Sequence, residues 1–121
     1  MLDLSVIILT YKEEIHIRRC LENVKQFASK VYVVDCFSID RTAQIAKELG
    51  AEVIEHEWPG NQAEQFNWAL DNLPITTEWI LRLDADEYLL PGLIEELLEK
   101  LPVIPESVSA LSLSLARAFC G

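Results

Sequence analysis

The sequence predicts a three-layer α/β architecture on a mostly parallel sheet, a Rossmann-like arrangement. Two observations carry it. Short, β-branched, nearly continuous apolar runs recur, at residues 4–10, 31–35, 51–55 and 78–83. Such runs suit strands covered on both faces, as in parallel sheets. Between them lie stretches with apolar residues at helical spacing, of a length that suits right-handed crossovers.

The first run ends in Thr10-Tyr11-Lys12-Glu13-Glu14, where Thr10 can cap a helix and the two acids favour its positive end. Ile17, Cys20, Leu21, Val24 and Phe27 then give an amphipathic helix over residues 13–27, with Arg18, Arg19, Glu22 and Lys25 facing solvent. The second strand ends at Asp35. Ser38 or Asp40 is the candidate cap of the next helix, lined by Ala43, Ile45, Ala46 and Leu49 and stopped at Gly50. A short third strand leads to the turn Trp58-Pro59-Gly60. Asn61 can cap a helix running to Asn72, with Ala63, Phe66, Ala69, Leu70 and Leu73 inward. Cys20 is assigned to the core, Trp58 and Trp68 to the core or else to the wall of a ligand pocket, with core preferred, and His16 and His56 to surface or loop.

The fourth strand reads as buried and stops abruptly at Asp84-Ala85-Asp86-Glu87. Pro91 suits a first helical position. Leu93, Ile94, Leu97, Leu98 and Leu101 give that helix its apolar side, and Pro102 and Pro105 end it. The alternation of small polar and apolar residues over 107–115 predicts a half-exposed edge strand. The 121 residues form a single domain, 1–121.

Composition narrows the function. Lys and Arg number 10 against 20 Asp and Glu, a formal charge of −10, so no nucleic-acid partner is expected. Three unpaired cysteines fit a reducing compartment and exclude a disulfide scaffold or zinc ribbon. The beginning of the chain has no signal-peptide pattern, and no apolar stretch approaches a membrane span. Neither G-x-G-x-x-G nor G-x-x-x-x-G-K-[ST] occurs, so no backbone loop cradles phosphate.

Parallel strands point their carboxyl ends to one rim, and ligands bind outside it. That rule gathers Thr10, Tyr11, Asp35, Asp84 and Asp86. Two carboxylates one residue apart repel each other unless a cation lies between them. Oxygen-only ligands suit Mg2+ or Mn2+, which bridges readily to phosphate. The Tyr11 ring can stack on a base, and Asp35 offers an acceptor to a base or ribose. The division of labour fits a nucleoside diphosphate.

These segments, Thr10-Tyr11-Lys12-Glu13-Glu14, then Val33-Val34-Asp35-Cys36-Phe37-Ser38-Ile39-Asp40-Arg41-Thr42, then Asp84-Ala85-Asp86-Glu87, resemble family 2 inverting glycosyltransferases with the GT-A fold. Trp58 and residues 62–70 resemble the lipopolysaccharide-core glucosyltransferase branch. The resemblance implies a donor site in which Thr10, Tyr11, Glu13, Asp35, Gln65 and Asp84 hold the nucleotide sugar and Asp86 the metal. It implies a hexose transferred from a UDP-sugar to a saccharide or glycolipid acceptor, with inversion. It also implies a cytoplasmic protein peripherally associated with the inner face of a membrane. Lys12 stands where the family pattern has Asn, and Cys36 where many members carry Asp or Ser. The family's carboxylate base is expected beyond Gly121, so the chain reads as a donor-binding part truncated before its acceptor region. The alternative is a catalytically incomplete nucleotide-sugar-binding fragment.

Overall fold

A computed structural model describes residues 2–103. Its elements are β1 (Leu2–Thr10), α1 (Ile17–Val24), β2 (Ala28–Asp35), α2 (Thr42–Glu48), β3 (Glu52–Glu55), α3 (Gln62–Asn72), β4 (Trp79–Asp84) and α4 (Pro91–Lys100), followed by a 3-10 turn, Leu101–Val103. The strand expected at 107–115 and the segment 117–121 lie outside the described residues.

The four strands pair in parallel in the order β3-β2-β1-β4. β1 is central, which is why its run is buried almost throughout. Its even-numbered residues Leu4, Val6 and Ile8 join the main core with Ile17, Cys20, Leu21 and Val24 of α1, Ile45 and Ala46 of α2, and Ile94 and Leu97 of α4. Its odd-numbered Ile7 and Leu9 join Tyr32, Val34 and Ala69 of α3 in a smaller core on the other face. The result is the expected three layers, with α3 alone opposite the other three helices among the described residues.

The structure corrects several local expectations. The first helix spans only Ile17–Val24 and has no side-chain cap. Thr10 ends β1 instead, buried, and its hydroxyl donates to Asp35 Oδ1 at 2.7 Å. Residues 13–16 form a turn closed by the Ile17 N–H to the Glu13 carbonyl. Phe27 keeps its core position through tighter i→i+3 bonds after the helix, and β2 begins at once with Ala28. Neither Ser38 nor Asp40 is the N-cap of α2, which is Arg41; Asp40 accepts the Thr42 N–H from one residue further out. Gly50 ends that helix region with φ +89°, where a side chain is disfavoured.

In α3 the Asn61 cap holds, accepting the Glu64 N–H at 2.8 Å. The inward face is rotated from the expected one. Gln65 and Ala69 are buried, Phe66, Trp68 and Leu73 pack beside them, and Ala63 and Leu70 are exposed. Gln65 lies inward because the His56 main chain and ring give its amide partners. β4 is not covered on both faces: Leu83 is fully buried, but Ile80 is 39% exposed and Arg82 is exposed. It is an edge of the described sheet, and α3 packs over β1 and β2 rather than over it. In α4, Leu98 is exposed rather than apolar-side core.

Candidate nucleotide-sugar site

Strand register builds the site. Thr10 of β1 lies beside Asp35 of β2, and Leu9 of β1 beside Asp84 of β4. The chain moves from β1 out to β3, then crosses back to place β4 on the other side of β1. That reversal is the switch point where parallel sheets open a crevice. A cavity of about 270 Å³ lies there, lined by Thr10, Tyr11, Glu13, Gln65, Asp84 and Asp86, with Trp58, Gln62 and Ala85 among the remaining walls. Six of the seven site residues expected from sequence therefore share one cleft.

Asp35 is the seventh and does not line it. Its side chain has 0% exposure, and its carboxylate accepts three hydrogen bonds: from Thr10 Oγ1, from Ser38 Oγ at 2.6 Å and from the Ser38 N–H at 2.8 Å. The residues after it lace two loops together. Ser38 Oγ accepts the Lys12 N–H, Thr42 Oγ1 accepts the Glu13 N–H, and Asp40 accepts the Glu14 N–H at 3.4 Å. Glu14 in turn accepts the Arg41 N–H. The Thr42 hydroxyl also donates to Asp40. Burial works to raise the Asp40 carboxyl, but these hydrogen bonds prevail and hold it below the ordinary carboxylate value. So the Asp-x-x-Ser-x-Asp-x-Thr spacing places an acceptor opposite each of the three main-chain N–H groups of Lys12, Glu13 and Glu14. That loop carries Tyr11 and Glu13 into the cleft.

On the far wall, Asp84, Asp86 and Glu87 each offer a carboxylate oxygen within 4.8 Å of the others, all half-buried. A reciprocal turn holds them: the Asp84 N–H donates to Glu87 Oε1 at 2.8 Å, and the Glu87 N–H to the Asp84 carbonyl at 3.0 Å. Among the described residues no Lys, Arg or His forms an ion pair with any of the three. Burial raises the Glu87 pKa from its ordinary 4.5; the Asp84 and Asp86 charges push the same way, and the Asp84 N–H opposes them. Crowded carboxylates with no ion-pair partner among the described residues, all oxygen donors, fit a hard divalent ion such as Mg2+ or Mn2+.

A second, more apolar cavity of about 640 Å³ adjoins the first and shares Tyr11 and Trp58 with it, adding Cys36 and Phe37. Trp58 is thus a half-exposed cleft wall and not core, because the Pro59-Gly60 turn carries it out of the sheet layers. Trp68 is the core member of the pair, stacked on the His56 ring with centroids 3.8 Å apart. Phe37 sits at φ +50°, its ring outward. Of the two readings open for Trp58, sequence reading preferred the core over the wall, and it missed Phe37 as a wall and Glu87 as a third oxygen donor. The i, i+3 spacing of Asp84 and Glu87 was the available signal for the last.

The model of the family described as Glycosyl transferase family 2 matches residues 5–113. An uncharacterized glycosyltransferase of Rickettsia typhi is 37% identical over 97 residues, covering 80% of this chain and 32% of its own length. The chain thus spans about a third of the length of the curated relative it matches. A mannosyltransferase from Pyrobaculum calidifontis, solved in complex with GDP-Man and Mn2+, superposes with a TM-score of 0.62 at 25% identity, over 72% of this chain and 28% of that one. S. aureus TarS in complex with UDP gives a TM-score of 0.59 at 25% identity, over 79% and 30%.

Proposed function

Since the chain belongs to glycosyl transferase family 2, we propose that its cleft is the donor site of a metal-dependent glycosyltransferase that uses a UDP-hexose. The observation that carries this reading is the convergence of an aromatic wall, Tyr11, and an acidic wall, Asp84 and Asp86, on one cavity at the sheet's switch point. Tyr11 stacks on the base, with Phe37 and Trp58 enclosing it. Thr10 and Glu13 hold the nucleoside side, and Asp35 acts from behind, through Thr10 and Ser38. Asp84 reaches the ribose or donor sugar, Gln65 faces the donor, and Asp86 with Glu87 would hold the Mg2+ or Mn2+. Bound there, the ion would neutralise the diphosphate and ease its departure. Neighbours solved with Mn2+ and GDP-Man, or with UDP, support a nucleotide-sugar donor.

The finer chemistry rests on the resemblance. An acceptor hydroxyl attacks the anomeric carbon, the nucleoside diphosphate leaves, a carboxylate base takes the proton, and the configuration inverts. The resemblance also supports a saccharide acceptor of the lipopolysaccharide-core kind, met at the cytoplasmic face of a membrane. No helix among the described residues is long and apolar enough to cross one. The second reading is a fragment that binds nucleotide sugar without transferring it; coverage of a third of a relative's length favours it for residues 1–121 alone.

Calorimetric titration with UDP and Mn2+ tests the donor site. Binding should strengthen with metal, and Asp86→Ala should remove the metal-dependent part. Nucleotide affinity indifferent to Mn2+ in the parent protein overturns the reading. A sugar-transfer assay on this chain beside a longer one separates the two alternatives.

A further inference from the structure

We infer that helix α1 is a clamp on the acidic turn, with Asn23 and Arg19 as positioning residues that set its affinity for a divalent cation. The inference rests on the metal reading proposed above, and it adds residues that touch neither the ion nor the nucleotide.

Asn23 holds the end of the turn by both faces of its amide. Its Oδ1 accepts the Leu89 N–H at 2.7 Å, and its Nδ2 donates to the Leu89 carbonyl at 2.8 Å. Among side chains of this length only Asn offers donor and acceptor in one plane. One turn of helix earlier, the Arg19 guanidinium donates to the Asp86 carbonyl at 3.0 Å and lies 4.5 Å from the Tyr88 ring centre. Between them the Cys20 thiol faces the Asp84 carbonyl at 3.9 Å.

Residues 19, 20 and 23 share one helix face, and each side-chain hydrogen bond they make is to main chain of residues 84–89, the segment that carries Asp84, Asp86 and Glu87. Three carboxylates within 4.8 Å repel one another and drive the turn open. The clamp opposes that opening without occupying any ligand oxygen. Arg19, which does not line the cleft, adds a positive charge beside the turn. Residues in this outer position around a metal typically change affinity by about 10–100-fold when altered.

The experiment is Mn2+ titration of the nucleotide-free protein, followed by electron paramagnetic resonance, on the parent, Asn23→Ala, Arg19→Ala, Arg19→Lys and the core control Val24→Ala. Asn23→Ala and Arg19→Ala should each weaken Mn2+ by about tenfold or more. Arg19→Lys should recover only part, since it keeps charge but loses the planar donors. Metal-free nucleotide affinity, read in chelator, should match the parent. Arg19 is exposed, so its variants fold even if Asn23→Ala does not. Mn2+ affinity within about twofold of the parent in the Arg19→Ala protein overturns the inference, as does an equal loss in Val24→Ala at matched thermal stability. A parent protein that binds no Mn2+ either alone or with UDP overturns the metal reading itself and takes the clamp with it; metal binding untouched by the variants removes the clamp alone.

Discussion

Lys12 stands at φ +54°, in the left-handed region that L-residues with a long side chain avoid and that Asn and Gly accept. The loop forces it there, because the Lys12 N–H must reach Ser38 and the next N–H must reach Thr42. This gives a backbone reason for the Asn that the family pattern carries at that place. The Lys12 side chain lies 5.2 Å over the Tyr11 ring and outside the lining of the main cavity. Replacing Lys12 with Asn should therefore stabilise the protein by on the order of 1 kcal/mol, seen as a melting temperature several degrees higher by calorimetry. An unchanged or lower melting point would show that the loop carries no strain there.

Glu87 gives the pH dependence of the same rim. Its pKa is raised above 4.5 in the folded protein, first by burial, so the native state binds its proton more tightly than the unfolded chain does. The metal-free fold is then favoured by that proton below pH 4.5, and loses this contribution as pH rises through the folded pKa. A cation at the turn competes with the same proton, so Mn2+ affinity should climb over that interval. Glu87→Gln should flatten the rise in affinity and remove the loss of metal-free stability. Titrations at stepped pH that give the same slope for parent and variant would separate Glu87 from the metal.

At the scale of elements, the site is two loops and a turn held by short links. The loop after β1 owes its shape to side chains after β2, and the turn after β4 to the face of α1. Such links are worth about 1 kcal/mol each when a partner is removed, more if a buried donor is left unpaired. Thr42 makes such links from a fully buried position at the start of α2, bonded to Glu13 and Asp40. Thr42→Val keeps the shape and removes the hydroxyl. It should cost about 1–2 kcal/mol. The amide protons of residues 12–14 should also exchange faster with solvent, which nuclear magnetic resonance reads residue by residue. Protection unchanged in the variant would mean that the lacing does not hold the loop.

For the whole molecule, Glu13 and Gln65 were expected at the rim from the family resemblance alone, whereas the strand-helix order, the parallel sheet and the gathering of Thr10, Tyr11, Asp84 and Asp86 there were legible from residue order. Hydrophobic period and the carboxyl-end rule require no knowledge of distant contacts, so short-range pattern sufficed for them. What it could not decide was where polar side chains find partners. Asp35 reads like a ligand contact and lies fully buried on Thr10 and Ser38. Arg19 reads like a solvated helix face and holds the acidic turn. Trp58 reads as core or as cleft wall, and only the fold places it in the cleft. A buried strand was expected at β4, whose outer face is open in the described residues because α3 settles over β1 and β2. The sequence by itself determined the layers and the rim, since burial of apolar runs follows from local period. Only tertiary structure decided which rim residues face the cleft and which hold the others, since Thr10 meets Asp35 across 25 positions and Arg19 meets Asp86 across 67, and no local pattern encodes those meetings.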